Sequence, residues 1–128
     1  MRLLIDTHIL LWLADDDPRL PARGRELLAD PAAQIVFSAA SIWEVAIKAG
    51  LDRSDFTKDP FALRSTAIAA GLEELPVTGD HAARVAALPA IHSDPFDRIL
   101  VAQATAESIT LVTHDETVSR YPGPIVLV

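Results

Sequence analysis

The sequence predicts an α/β fold with three layers, in which helices cover both faces of a central, mainly parallel sheet of four to five strands. Short apolar runs typical of buried strands alternate with helical patterns along the whole chain. The 128 residues are 50% hydrophobic and 23% charged, which is typical of a globular domain with one core. No repeat, linker or low-complexity segment divides the chain, so we expect a single domain over residues 1–128.

The first half of the chain is predicted to contain two strands and four helices, most of them ended by a local signal. The first strand ends at Asp6, and the helix after it ends at the aspartates and proline of 15–18. Pro31 follows the next helix, and Gly50 and Gly71 close the two after that, because glycine tolerates the backbone conformation of a helix end. The predicted elements are a strand at 2–6, helices at 7–14 and 19–30, a strand at about 34–38, and helices at 39–50 and 61–71, with a loop at 51–60.

The second half is predicted to contain three strands and three helical segments. The apolar runs ITLVT and PIVLV are typical of buried strands, whereas the apolar residues of DRILVAQA recur at helical spacing. Asp94 and Pro95 mark the start of that helix, because proline fits the first helical position. The predicted elements are a strand at 72–77, helices at 79–89 and about 94–108, a strand at about 109–113, a helical turn at 114–121 and a strand at 124–128.

The absence of cysteine and the acidic charge limit the function classes. Disulfides, thiol catalysis and cysteine-based zinc sites are excluded, and the composition fits a cytoplasmic protein. The apolar N-terminal stretch is interrupted by Asp6 and His8 and is too short to cross a membrane, so no membrane contact is expected. A net charge of −7 does not attract phosphate backbones, so a nucleic-acid substrate requires local arginines or bridging cations.

Four acids follow strands or begin helices. Asp6 closes the first strand, Glu44 lies in the first turns of the helix after the second strand, Asp97 lies in the first turn of the helix at 94–108, and Asp115 follows ITLVT. In open α/β sheets, ligands bind beyond the carboxyl ends of the strands. These four carboxylates can therefore meet at one edge of the sheet.

Each acid also has a purely structural interpretation. Asp6 and Asp115 can cap the helices that follow them, and Asp94 can cap the helix that carries Asp97. Ser41 and Glu44 match the spacing of a capping box. Acids are common at helix N-termini because the helix dipole favours them.

The argument for a metal site is collective. Successive helical residues are about 100° apart, so Asp97 heads the apolar stripe of Val101 and Ala104 and points inward. Clustered carboxylates repel one another, and burial strengthens the repulsion. A divalent cation with oxygen ligands, such as Mg²⁺, relieves it and can activate water and polarise a phosphodiester.

The helix at 39–50 carries Glu44 on its polar side. Ser41, Glu44 and Lys48 share this side, so Glu44 is expected to leave the core, toward solvent or toward the strand-end cleft. A surface pair with Lys48, four residues away, is the simplest interpretation. The opposite side is expected to face the core through Ile42, Val45, Ala46 and Ala49.

Other catalytic patterns are absent from the sequence. No Ser-His-Asp arrangement, HExxH motif, P-loop or GxGxxG motif occurs. The four histidines, His8, His81, His92 and His114, are scattered, and we interpret each as a surface residue or as a residue behind a site. Trp12 and Trp43 are interpreted as core or interface residues, with base stacking as a lesser alternative.

Four blocks of the sequence together resemble a known family. LLIDTHILLWLA, SAASIWEVAIK, HSDPFDRILVAQA and LVTHDETVSRY resemble, in this order, the signature blocks of the PIN domain, and most closely those of VapC-type toxins of bacterial toxin–antitoxin pairs. The least similar region is 51–88. Many PIN domains have Asn two residues after the first acid, where this chain has His8.

The resemblance implies a PIN-like α/β/α fold and an endoribonuclease that depends on Mg²⁺ or Mn²⁺. It implies Asp6 and Asp97 as the main metal ligands, with Glu44 and Asp115 completing the site directly or through water. Thr113 would be a nearby polar residue, and Asp94 an auxiliary acid or cap. It also implies a homodimer that is inhibited by an antitoxin, which inserts a tail near the site.

Three other classes compete with this hypothesis. A phospho-receiver domain needs a lysine after the last inner strand, but the only lysines are Lys48 and Lys58. A phosphatase of the Asp-x-Asp type is excluded by His8. A catalytically silent PIN-fold module that binds a protein partner is the main alternative, and the presence of all four acids argues against it.

Overall fold

The computed structural model describes residues 1–51 and 58–128. Within these ranges, five strands alternate with seven α-helices. They are β1 (Arg2–Ile5), α1 (Thr7–Ala14), α2 (Ala22–Ala29), β2 (Gln34–Ser38), α3 (Ala39–Gly50), α4 (Pro60–Ala69), β3 (Glu73–Leu75), α5 (Gly79–Arg84), α6 (Pro95–Glu107), β4 (Thr110–Thr113), α7 (Glu116–Ser119) and β5 (Ile125–Leu127). A short 3-10 turn at Val85–Ala87 follows α5.

The strands form one parallel sheet in the order β3-β2-β1-β4-β5. In the central strand, Leu4 pairs with Val36 of β2 on one side and with Leu111 of β4 on the other. The chain builds β2 and β3 on one side of β1 and then crosses to the other side for β4. Because the order reverses between β1 and β4, the carboxyl ends of these two strands flank the crevice where open α/β sheets bind ligands.

Two hydrophobic clusters cover the two faces of the sheet. Leu3 and Ile5 of β1 belong to one cluster, and Leu4 between them belongs to the other, because side chains alternate along a strand. The first cluster includes residues of α1, α3 and α4, and the second is packed against α6. This arrangement confirms the predicted α/β/α fold with a parallel central sheet.

Several predicted boundaries were too wide, and prolines explain two of them. The helix predicted at 19–30 begins only at Ala22, with Pro21 as its cap residue. The strand predicted at 72–77 ends before Pro76, which cannot donate a ladder hydrogen bond. The helix predicted at 79–89 changes to the 3-10 turn after Arg84. Within the loop predicted at 51–60, positions 52–57 lie outside the described residues.

The capping box predicted at Ser41 and Glu44 is wrong. Helix α3 begins earlier, and its cap is Ser38, whose hydroxyl accepts a hydrogen bond of 3.0 Å from the Ala40 N–H. Ser41 therefore lies inside the helix, where its Oγ accepts a 2.9 Å hydrogen bond from Thr7 Oγ1. In the described part of the chain, no helix is long and apolar enough to span a membrane.

Candidate active site

Asp6 lies at the carboxyl end of β1 and is 4% exposed. One of its carboxylate oxygens caps α1 by accepting a 2.9 Å hydrogen bond from the Ile9 N–H, and the other accepts a 2.6 Å hydrogen bond from Thr113 Oγ1. Burial raises the pKa of Asp6 above its ordinary value, and these two hydrogen bonds oppose the rise. Asp6 is thus a helix cap and also a buried acid at the edge of the sheet.

Thr113 connects Asp6 to Asp115 at the end of β4. While its hydroxyl donates to Asp6, the same oxygen accepts a 3.0 Å hydrogen bond from the Asp115 N–H. The Asp115 Oδ1 atom accepts a 2.8 Å hydrogen bond from the Thr117 N–H and so caps α7. The predicted caps at Asp6 and Asp115 are confirmed, and one oxygen of Asp115 is left for the site.

Glu44 enters the cleft from α3 and is 4% exposed. Its Oε2 atom accepts a 2.6 Å hydrogen bond from Lys48 Nζ, as the spacing of four residues predicted. Its Oε1 atom is buried and has no hydrogen-bond partner within the described part of the chain. A carboxylate oxygen in this position is costly unless a cation or a donor completes it.

The predicted core face of α3 is partly wrong. Ala46 is exposed and Ile42 is only partly buried, whereas the polar residues Ser41 and Glu44 are buried. The helix is rotated so that its polar side faces the protein, where Ser41 accepts the hydrogen bond from Thr7. In the pair with Lys48, the Glu44 side chain is therefore buried, whereas the Lys48 side chain remains 34% exposed.

Asp97 lies in the first turn of α6, whose cap is Asp94. The Asp94 side chain accepts a 2.9 Å hydrogen bond from the Phe96 N–H, and Pro95 occupies the first turn as predicted. Burial and then the charges of Asp94, Asp6 and Glu44 raise the pKa of Asp97 to about 7, while His92 opposes the rise. Ligand atoms of Asp97 and Asp115 lie within 4.8 Å of each other, and Thr113 joins Asp115 to Asp6, so acids from three separate segments converge at one place.

His92 is a site residue that the sequence did not identify. Its Nε2 atom lies 3.4 Å from Asp97 Oδ2 and 3.5 Å from Asp115 Oδ2. Its Nδ1 atom accepts a 3.0 Å hydrogen bond from the Asp94 N–H, so the neutral ring carries its proton on Nε2 and directs it at the two acids. The available signal was its position two residues before the Asp94 cap, at the sheet edge where the acids were expected.

The chain matches the family model described as the PIN domain over residues 3–124. It belongs to the PIN domain family. This match confirms the resemblance indicated by the four sequence blocks. A search of curated proteins finds no match to the chain.

Solved structures of toxin–antitoxin proteins share this fold. The structure described as VapBC2 from Rickettsia felis bound to a promoter DNA fragment has a TM-score of 0.72 and 19% identity, covering 99% of this chain and 98% of that chain. A toxin–antitoxin complex from Klebsiella pneumoniae has a TM-score of 0.65 and 21% identity, covering 97% and 95%. VapC20 from Mycobacterium tuberculosis, described as a Sarcin-Ricin loop cleaving toxin, has a TM-score of 0.61 and 17% identity, covering 91% and 92%.

The donor set of this PIN domain suits a hard divalent cation. Carboxylate oxygens dominate it, and the buried Glu44 Oε1 atom, which has no hydrogen-bond partner among the described residues, could be satisfied by a cation. Ligand atoms of His92, Asp97 and Asp115 lie within 4.8 Å of one another, which is close enough to surround one ion. Because the His92 Nε2 atom carries a proton in the present arrangement, the carboxylates are the better ligands.

The other histidines of the PIN domain occupy two different places. His81 is buried, and its ring contacts Gln103 and Glu107 of α6, which do not belong to the candidate site. His8 and His114 are exposed and line a cleft beside Asp6 and Asp115, together with Trp12. Trp43 is 63% exposed and packs edge-on against Phe96, with ring centroids 5.2 Å apart.

Proposed function

We propose that this PIN domain, spanning residues 1–128, is a cytoplasmic endoribonuclease that depends on a divalent metal and acts as the toxin of a toxin–antitoxin pair. The meeting of Asp6, Asp97 and Asp115 at the sheet edge, together with a buried Glu44 oxygen that has no hydrogen-bond partner among the described residues, carries the proposal. Family membership and the fold shared with toxin–antitoxin proteins support it. The fold shared with VapC20, a Sarcin-Ricin loop cleaving toxin, supports RNA as the substrate class.

In this proposal, Asp6 and Asp97 hold Mg²⁺ or Mn²⁺, and Glu44 and Asp115 complete the site directly or through water. The bound cation would lower the pKa of a water molecule and polarise the phosphodiester that the water attacks. Thr113 fixes the position of the Asp6 carboxylate through its hydrogen bond. Lys48 holds one oxygen of Glu44, and the other oxygen would be available to the cation.

Asp94 and His92 position the remaining acids. Asp94 caps α6 and thereby fixes the first turn that carries Asp97. The Asp94 N–H also orients the His92 ring, whose Nε2–H faces Asp97 and Asp115. His92 therefore spaces these two carboxylates and offsets part of their mutual repulsion.

Two apolar surfaces are available for the partners in this proposal, a second copy of the chain and an antitoxin. One is a stripe formed by Trp43 and Ile47 of α3 and by Leu51 directly after the helix, which recur every four residues and are all exposed. The other is a groove of about 410 Å³ between α1, α2 and α4. Its apolar lining residues include Leu10, Leu13, Leu28, Ile35, Ala67 and Leu72. Exposed apolar patches of this kind mark protein interfaces.

RNA cleavage by the purified protein tests the catalytic part of the proposal. We expect cleavage with Mg²⁺ or Mn²⁺ and none after EDTA treatment, with activity restored when the metal is returned. Cleavage that continues undiminished in EDTA would contradict the metal mechanism. A protein that binds a partner and never cleaves RNA would instead favour the catalytically silent module.

Copurification tests the partner. Co-expression with a neighbouring open reading frame, followed by pull-down, should recover a small protein that suppresses both toxicity and RNA cleavage. Light scattering of the isolated chain should give the mass of a dimer. A chain that is monomeric, harmless and unpartnered in cells would contradict the toxin assignment.

A further inference from the structure

A cleft of about 240 Å³ opens beside the acids and is lined by Asp6, His8, Trp12, His114 and Asp115. We propose that its three rings, those of His8, Trp12 and His114, form a stacking subsite for one nucleobase of single-stranded RNA. We call these three residues the aromatic cleft. The inference rests on the proposed ribonuclease function and specifies how the substrate is held there.

The Trp12 ring contacts both histidine rings, and all three rings line the same cleft. The Trp12 ring centroid lies 5.9 Å from that of His8, and the two planes are tilted by 34°. The same centroid lies 5.6 Å from that of His114, which meets the indole edge-on at 66°. Because His8 and Trp12 are four residues apart on α1, they share one face of this helix, and His114 meets them from the end of β4.

The rings are held in place by their surroundings. Trp12 is partly buried and packs against the core, and the Arg19 guanidinium lies over its ring at 5.8 Å from the centroid. Asp17 accepts hydrogen bonds from the side chain of Arg19, the shortest 2.7 Å long. His114 Nδ1–H donates a 2.6 Å hydrogen bond to the Val128 carbonyl. A preformed aromatic site loses little entropy when it binds a base.

The chemistry of the cleft favours a nucleobase over other ligands. With a net charge of −7, the protein gains little RNA affinity from its overall field, whereas stacking depends on the base and not on phosphate charge. The volume is smaller than the 300–1,000 Å³ typical of drug-sized ligand pockets, so it suits one base or one nucleotide. Asp6 and Asp115 line the same cleft, so a base seated there brings its own phosphate to the proposed metal site.

Two tryptophans make the contact observable by NMR, because the indole N–H of Trp12 and that of Trp43 give separate signals. Trp43 lies on α3 outside the cleft and serves as an internal control, and a Trp43→Phe variant assigns the two signals. We would titrate the protein with a mixed-sequence octaribonucleotide in Ca²⁺, so that binding is followed in the absence of added Mg²⁺ or Mn²⁺. A shift of the Trp12 signal with Trp43 unmoved supports the subsite. A Trp12 signal that does not move at saturating RNA overturns it.

Substitutions then distinguish the contribution of the aromatic ring to RNA binding from that of its apolar volume. We expect Trp12→Leu to weaken octaribonucleotide binding roughly 10- to 100-fold, the range for loss of one stacked base, and Trp12→Phe to weaken it less. Phe61→Leu, at an aromatic residue that is 84% exposed on α4, should leave binding unchanged. A folded Trp12→Leu protein that binds like the wild type overturns the proposal.

Trp12 also packs against the core, so its substitution can disturb the fold. A second variant therefore changes only exposed residues of the aromatic cleft. The exposed rings of His8 and His114 can be removed together as His8→Ala and His114→Ala, which should also weaken binding if the subsite exists. Cleavage in Mg²⁺ is measured separately. If the wild-type protein cleaves RNA but its Trp12 signal does not move in the titration, only the subsite is overturned. If RNA shifts the Trp12 signal of a wild-type protein that does not cleave RNA, the result supports the subsite and contradicts the ribonuclease function.

Discussion

Thr113 Oγ1 donates a 2.6 Å hydrogen bond to Asp6 Oδ2, which joins two residues 107 positions apart in the chain. The bond ties the end of β4 to the end of β1, the two strands that flank the crevice. Both side chains are buried, so the bond is shielded from most competition by bulk water. One of the two acids that are predicted to be the main metal ligands is therefore positioned by the far end of the sequence.

Replacing Thr113 with Val should lower both stability and cleavage. The buried Asp6 carboxylate would lose a donor, and the Asp115 N–H would lose an acceptor, at a cost of about 1–3 kcal/mol in the free energy of unfolding. Thr113→Ser keeps the hydroxyl and should recover most of both properties. Urea unfolding and RNA cleavage of the two variants measure the effect, and a Thr113→Val protein as active as the wild type would contradict the positioning role.

Asp6→Asn should abolish RNA cleavage and leave the fold intact, because an amide still caps α1 but is a poor ligand for Mg²⁺. Asp59→Asn is the matched control. Asp59 caps α4 in the same way, through a 2.9 Å hydrogen bond from the Phe61 N–H, and does not belong to the acid cluster. Circular dichroism of both variants verifies the fold. If Asp59→Asn lost activity as severely as Asp6→Asn, a general effect of cap removal would explain both.

Asp97→Asn should raise the melting temperature in EDTA at pH 8. The folded-state pKa of Asp97, about 7, lies above the ordinary value of 3.8, so the folded protein holds this proton more tightly than the unfolded chain. The free energy of unfolding therefore falls as pH rises from about 4 to about 7. Above pH 7, Asp97 is ionised in the folded protein and lowers the stability by its full amount. Removing the charge should gain about 1–2 kcal/mol after allowance for solvent screening, and the gain should shrink toward pH 4.

Added Mg²⁺ should stabilise the wild type, because a ligand of the folded state alone shifts the unfolding equilibrium, and Asp97→Asn should lose most of this response. Asp80→Asn is the control for the helix dipole. Asp80 lies in the first turn of α5 and is exposed, so its loss should lower stability by about 0.3–1 kcal/mol at most. An Asp97→Asn protein that melts lower in EDTA, beside a wild type indifferent to Mg²⁺, would show that Asp97 is only a helix-terminal acid.

Lys48→Gln should destabilise the protein in EDTA, because the buried Glu44 carboxylate would lose the ammonium group at 2.6 Å. We expect a loss of about 1–3 kcal/mol, the cost of a buried charge without its partner. Added Mg²⁺ should recover part of it. The exposed pair Asp80–Arg84 has the same spacing, so Arg84→Gln should cost only about 0.3–0.5 kcal/mol. Equal losses in the two variants, measured by thermal melting, would mean that Glu44 is solvated.

Local sequence patterns determined the fold class, the approximate elements and the four acids. Apolar runs and helical spacing reflect burial, and the Asp94-Pro95 start of α6 follows from cap geometry that two adjacent residues define. The inward position of Asp97 also followed from its own helix, since Val101 and Ala104 on the same stripe are buried. The four blocks identified the family because the spacing of these local features is specific.

Only the tertiary structure decided which residues meet. His92 lies in a segment without periodicity, so its contact with Asp97 and Asp115 depends on how that segment approaches α7. The burial of Glu44 depends on the rotation of α3, whose Ser41 contacts Thr7 on another helix. Trp12 and His114 meet because β4 pairs with β1 after the chain has crossed the sheet. Such contacts are set by strand order and helix rotation, which arise from packing between distant segments and leave no local pattern in the sequence.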